Sequence, residues 1–216
     1  METADFTYYA DGLRKTKDGE LYIYDGKNVL AEIDNTDIRL NVYGNTLLFT
    51  IQGTITTENE VTFIDGKIAY AYEFNLHGDV VKVLGIAGIV LNTYTYDAFG
   101  VIVQQSETVG NTFYYAGYQY DSETGLYYLR SRYYNAETAR FITEDSFNGY
   151  YNDPLSLNRY TYCHNSPIIY FDPDGFRACD ITAYTEIEGY SKEEILEITI
   201  ERIKEENELV MLLQQH

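Results

Sequence analysis

The sequence predicts a mainly β fold, a twisted antiparallel sheet over its first three quarters followed by one C-terminal α-helix. Three observations carry that expectation. Tyrosine and phenylalanine number 24 and 10 with no tryptophan, and 16 glycines stand against 3 prolines, a balance that favours strands joined by glycine turns over a helical bundle. The pattern tyrosine-any-tyrosine-acid recurs as "YIYD", "YAYE", "YTYD" and "YQYD", starting at 22, 70, 94 and 118 at intervals of 48, 24 and 24 residues. After residue 177 the composition changes, and "SKEEILEITIERIKEENELVMLL" takes on helical spacing.

The repeat accounts for the strands in order. The slot at 46 that the 24-residue period leaves empty holds "TLLF", which keeps the apolar character and loses the tyrosines. In an extended chain the two tyrosines of each unit point to one face and the residue between them to the other. A nearby Gly26, Asn75, Gly100 or Gly125 supplies the turn. Each unit then reads as strand, turn, strand, and the runs "ELYIYDG", "EVTFIDG" and "VVKVLGIAGIVLNTYTYD" agree. Tyr24, Tyr72, Tyr96 and Tyr120 are expected at equivalent places on successive segments. Hairpins of this kind bury a face only when neighbours cover it, so a continuous sheet from about residue 8 to 135 is the expected product. The tyrosines serve as packing or, alternatively, as platforms for sugar rings, which keeps carbohydrate open as a partner.

Bulk properties narrow the function. A chain of 216 residues can bury a sizeable core. A formal charge of −19, from 15 basic and 34 acidic residues, argues against nucleic acid as a partner, because phosphate binding needs a basic footprint. Cys163 and Cys179 form no C-x-x-C and read as ordinary thiols, so neither a metal nor a cofactor is expected. The opening "METADFTYYADG" lacks the features of an export signal, and no run of about 18 apolar residues occurs. The expectation is a segment with no signal peptide and no membrane insertion of its own.

From about residue 109 the repeat becomes denser. The segments "YYADGLRKTK", "YIYDGKNVLAEID", "EFNLHGDVVKVL" and "YTYDAFGVIV", then "AGYQYDSETGLYYLRSRYYNAETARFITED" and "NRYTYCHNSPIIYFDPDG", carry a family resemblance over roughly residues 8 to 176. The last two resemble the Rhs repeat-associated core domain. The upstream units resemble the YD repeats of Rhs, wall-associated and toxin-complex C-component proteins. The resemblance implies a YD-repeat sheet over 1–108 forming part of a hollow shell, a core over 109–176 that plugs it, and a variable segment over 177–216. It further implies a secreted or cell-surface polymorphic toxin of bacterial competition that releases a C-terminal effector by autoproteolysis. Its partners would be N-terminal shell segments and a C-terminal toxin or immunity-type protein.

A self-cleaving aspartyl site needs two carboxylates close enough to divide the work of base and acid. Asp145 and Asp172 are similar in position to the aspartyl pair of the toxin-complex relatives, and Arg132 to an arginine implicated there; the cut is expected between Phe176 and Arg177. The surroundings read "TEDS" where the family usually reads S-P-D-P, and "NGYYNDPLS" lengthens the loop that follows. The plain alternative is a tight turn in which Pro173 fixes φ, Asp172 is extended before it, Asp174 follows and Gly175 accepts positive φ. Asp121, Glu123 and Glu137 read as turn carboxylates that bond their own backbone. His77 reads as a turn or packing residue, His164 as a neighbour of the site, and Cys163 as a cysteine without a defined histidine partner.

In the tail, Ser191 and Glu194 form a capping box, and Ile195, Ile198, Leu209 and Leu213 an apolar stripe, so a helix is expected over about 191–213. Forty residues are few for a toxin domain. Two further functions therefore stay open: a non-enzymatic surface or carbohydrate-binding module, and a shortened remnant without a toxin.

Overall fold

The computed structural model describes residues 4–44, 46–58, 61–149, 151–152 and 154–180. They form two compact units, one of residues 19–71 and one of residues 4–18 together with 72–180. The expected helix over 191–213 lies outside the described residues.

The chain begins with an antiparallel hairpin, β1 (Phe6–Tyr8) and β2 (Arg14–Lys17). Residues 19–71 then form a meander of β3 (Glu20–Asp25), β4 (Asn28–Asp34), β5 (Asp37–Tyr43), β6 (Leu47–Glu58) and β7 (Val61–Phe74), each antiparallel to the next. The reversals use Gly26 and Asn35, both at positive φ, where a β-branched residue would be strained. Register places Ala31 opposite Leu40 and Leu40 opposite Ile51. With Ile38 these residues are buried as one aliphatic cluster. The alternate face carries a polar ladder in which Asn41 donates to Glu32 at 2.9 Å and Thr50 donates to Asn41 at 2.6 Å.

In the second unit, β8 (Val80–Leu84), β9 (Val90–Tyr96) and β10 (Ile102–Ser106) repeat the meander. The sheet expected to run on to residue 135 stops at Ser106. The Asn92 side chain accepts from the Thr108 and Val109 N–H groups and donates to the Val109 carbonyl. These bonds take up the backbone groups that a further strand would have offered, so the chain turns away. A separate four-stranded sheet follows, of β11 (Gln119–Asp121), β12 (Leu126–Tyr128), β13 (Tyr133–Asn135) and β14 (Arg140–Phe141). A last pair, β15 (Tyr170–Phe171) and β16 (Cys179–Asp180), closes the described chain.

The repeat keeps its register in all four copies. Tyr22, Tyr70, Tyr94 and Tyr118 are buried, while Tyr24, Tyr72, Tyr96 and Tyr120 are half-buried. Gly26, Gly100 and Gly125 take positive φ as expected. In the second copy Gly78 does so, and Asn75 instead accepts from the His77 and Asp79 N–H groups. The acids diverge: Asp25, Glu73 and Asp97 are exposed, and Asp121 is buried. Asp121 is therefore not a turn carboxylate, since Arg14 donates to both of its oxygens at 2.7 and 2.9 Å and Lys17 lies at 3.4 Å. Because the Arg14 guanidinium also lies over the Tyr128 ring and the Arg14 backbone N–H donates to the Tyr128 hydroxyl, the N-terminal hairpin is fastened to β11 and β12.

Candidate active site

The site grows from the turn between β12 and β13. Arg130 takes positive φ and the Leu129 N–H donates to the Arg132 carbonyl at 2.9 Å. This turn sends Arg132 inward, where its guanidinium lies 3.6 Å from the centroid of the Phe141 ring on β14. A flat cation on an aromatic face is favourable and fixes the plane of the fork.

Three consecutive residues of this turn grip three consecutive carbonyls of the D-P-D-G loop. Arg130 Nη1 donates to Pro173, the Ser131 N–H and Oγ donate to Asp174, and Arg132 Nε donates to Gly175. Gly175 sits at positive φ, and a Cβ there would lie 2.6 Å from Ser131 Oγ and 2.7 Å from the Leu129 carbonyl. Only glycine fits this approach without displacing the turn.

Asp172 is thereby placed next to Arg132. Its Oδ1 accepts the N–H groups of Gly175, Phe176 and Arg177 at 2.8, 3.1 and 3.2 Å, with Asp174 at 3.4 Å. Its own N–H donates to the Tyr118 hydroxyl, which pairs with that of Tyr162. Asp145 arrives from the loop after β14: its Oδ2 lies 2.8 Å from Arg132 Nη2, and its Oδ1 accepts the Phe147 N–H. The same Nη2 is 3.7 Å from Asp172 Oδ2. The two Oδ2 atoms can be no farther apart than the sum of those lengths, so both carboxyls face the same guanidinium nitrogen. The side chains of Arg132, Asp145 and Asp172 are 8%, 14% and 3% exposed.

A cleft of about 410 Å³ opens on this group, lined by Arg132, Asp145, Arg159, Asp172, Phe176 and Arg177 among others. The residues expected at the site and at the cut thus stand together. Burial pushes the Asp172 carboxyl above the usual carboxylate range, against the opposing pull of Arg132 and of the Asp174 and Gly175 N–H groups. Burial likewise lowers Arg132, against the pull of Asp145 and Asp172; a guanidinium keeps its charge regardless. Cys163 also lines the cleft, but burial pushes its thiol far up, so it offers no thiolate. His164 lines it too, with its ring edge-on to Tyr170 at 5.7 Å. Among the described residues no group of three His, Cys, Asp or Glu is arranged to hold a metal ion.

Three participants carried no signal in the sequence: the Arg130–Ser131 grip, Tyr118 and Arg159. The guanidinium of Arg159 donates to the Asp145 carbonyl through Nε at 2.7 Å and also through Nη2. Each of the three works on a backbone atom, whose partner residue type is unconstrained.

No family model matches the chain. Over 172 residues it is 38% identical to the tRNA3(Ser)-specific nuclease WapA of Bacillus spizizenii, a match that covers 76% of this chain and 7% of that protein. It is 38% identical over 65 residues to the toxin protein Tse5 of Pseudomonas aeruginosa, covering 28% of this chain and 4% of that one. The crystal structure of TcdB2-TccC3 superposes with a TM-score of 0.55 at 20% identity, over 80% of this chain and 9% of that chain. The chain therefore spans a small fraction of the length of the relatives it matches. By sequence it is similar to Rhs-type toxin proteins, and it shares with TcdB2-TccC3 a fold of large antiparallel sheets.

Proposed function

We propose that this chain is the C-terminal portion of an Rhs/YD-repeat polymorphic toxin, and that its core frees a C-terminal effector by cutting the bond between Phe176 and Arg177. One observation carries the reading. Asp145 and Asp172 converge on a single nitrogen of Arg132, while Asp172 Oδ1 accepts the N–H groups of both residues that flank the bond. Asp145 takes a proton from water, whose oxygen attacks the Phe176 carbonyl carbon. Asp172, whose raised affinity for a proton suits it to the acid role, protonates the departing Arg177 nitrogen as the C–N bond breaks. Arg132 holds Asp145 toward this reaction and fixes the preceding carbonyl, that of Gly175. Delivery of the bond in cis supplies a large effective molarity, so a modest catalyst suffices.

The same proposal places the tyrosine-rich sheet in a shell completed by N-terminal repeats, within a secreted or surface-delivered protein, with a toxin or immunity-type protein as the C-terminal partner. The tRNA nuclease activity in the name of the Bacillus relative stays with that protein. A carbohydrate-binding role is less favoured, since the repeat tyrosines turn their rings on one another, as Tyr94 does on Tyr96 and Tyr114.

A turn-only role for Asp172 draws on the same hydrogen bonds to its Oδ1. The substitution Asp172→Asn separates the two readings, because the amide oxygen can still accept those bonds while the group can no longer act as an acid. Purified Asp172→Asn and Asp145→Asn chains are expected to stay whole where the parent yields a fragment ending at Phe176. Asp97→Asn, at an exposed turn carboxylate bonded to the Phe99 and Val101 N–H groups, is expected to cleave as the parent does. Equal cleavage in all four chains would reject the pair.

A further inference from the structure

We propose that Arg159 is a positioning residue, which holds Asp145 on Arg132 independently of the long loop that separates them. The inference rests on the self-cleavage reading for its consequence and on geometry of its own for the contact. From β14 onward the chain runs beside residues 159–161: Arg140 bridges Thr161, the Phe141 N–H donates to the Tyr160 carbonyl at 3.0 Å, and the Asp145 N–H donates to the Arg159 carbonyl at 2.9 Å. Arg159 returns two N–H groups to the Asp145 carbonyl. Its remaining nitrogen, Nη1, lies 3.1 Å from the exposed Glu144. Arg132 Nη1 donates to the same Arg159 carbonyl at 3.1 Å.

Asp145 and Arg159 are thus locked backbone to backbone and fork to backbone, and the lock is joined to the guanidinium on which Asp145 Oδ2 rests. The intervening residues leave from one side of the lock and return to it. Their length, which sequence reading treats as a departure from the family pattern, therefore does not set the separation of the two carboxylates. A planar fork is needed, since a lysine has one nitrogen for the work of the two that meet the Asp145 carbonyl.

Release of the lock lets Asp145 leave Arg132, which then turns its charge wholly to Asp172. The charged or titratable groups around Asp172 are Arg132, Asp145, Asp174, Tyr118 and Cys163; of these Arg132 and Asp145 gain freedom in such a variant, and the departure of the Asp145 charge acts on Asp172 in the same direction as its closer pairing with Arg132. Arg159→Ala is expected to slow cleavage by about a hundredfold, the scale of a misplacement near 1 Å. It should also move the alkaline limb of the pH–rate profile to lower pH, because an Asp172 better paired with Arg132 gives up its proton sooner. Arg159→Lys restores little of the rate, and Glu144→Gln leaves rate and profile unchanged. A purely structural arginine would lower the melting temperature and leave the limb in place, which would overturn the proposal. Carboxyl carbon NMR of Asp172 in the full chain, compared with Arg159→Ala, stands apart from turnover. A wild-type chain that never cleaves sinks the catalytic reading, while an unshifted Asp172 titration sinks the role of Arg159.

Discussion

Residues 19–71 pack aliphatic side chains across a regular ladder, whereas residues 72–180 pack tyrosine rings around short strands and turns. In the first unit Ala31, Ile38, Leu40 and Ile51 meet on adjacent strands and the backbone satisfies itself in register. In the second, Tyr115, Tyr127, Tyr134 and Tyr162 are almost wholly buried, and Tyr134 and Tyr162 lie 4.2 Å apart. There the hydroxyls do what the ladder does elsewhere. Tyr115, Tyr134 and Tyr127 donate to the consecutive carbonyls of Ala98, Phe99 and Gly100 at 2.8, 2.8 and 2.7 Å. A tyrosine buries an apolar ring and delivers a donor at its tip, so an irregular turn can be held inside a core without orphaned carbonyls. That capacity suits a unit that must place Arg132, Asp145 and Asp172 from three separate loops.

The two kinds of packing respond differently to single substitutions. The largest effect is expected at the ion pair that fastens the hairpin. Asp121→Ala leaves Arg14 buried without the carboxylate that its Nη1 meets and should cost about 3–5 kcal/mol in urea unfolding. Gly100→Ala comes next: a Cβ would lie 2.6 Å from the Tyr115 ring at a φ of 94°. Overpacking of about 1–3 kcal/mol is expected there, with backbone strain added. Loss of a single oxygen separates the two units. Tyr127→Phe orphans the Gly100 carbonyl and should cost about 1–3 kcal/mol, more than the roughly 0.5–1.5 kcal/mol expected for Ile38→Val in the aliphatic unit. Equal or reversed costs would show that the hydroxyls are incidental.

The smallest effect is a pH dependence confined to the tyrosine unit. The His77 ring lies tilted against Tyr115, with centroids 4.9 Å apart, and contacts Asp79 Oδ1 at 2.6 Å. Burial pulls its pKa down, but the hydrogen bond and charge of Asp79, with the Pro167 and Tyr170 backbone, outweigh burial and leave it above 6.5. The group is more basic folded than unfolded, so its stabilisation is complete below the unfolded value and is lost as pH rises through the folded one. Stability of the wild-type chain should therefore decline modestly above about pH 6.5, and His77→Gln should flatten that decline.

Much of this was legible in the sequence, for physical reasons. A 24-residue period in tyrosine survives because each copy meets the same packing demand, and the burial of its first tyrosine recurs without exception. Arg132, Asp145 and Asp172 were legible through resemblance alone, since nothing in their spacing of 13 and 27 residues forces a contact. The break after Ser106 was hidden in one side chain, Asn92. The grip of residues 130–132 on residues 173–175 was hidden more deeply, because its acceptors are carbonyls 43 residues away, and every residue type carries a carbonyl.

The most direct test of the central claim is the intact mass of the purified wild-type chain after incubation at mildly acidic pH, read together with the N-terminal residue of any product. Cleavage by the Asp145–Asp172 pair is expected to give one fragment ending at Phe176 and one beginning at Arg177. A single species that stays at 24.9 kDa, or a cut at another bond, would contradict it.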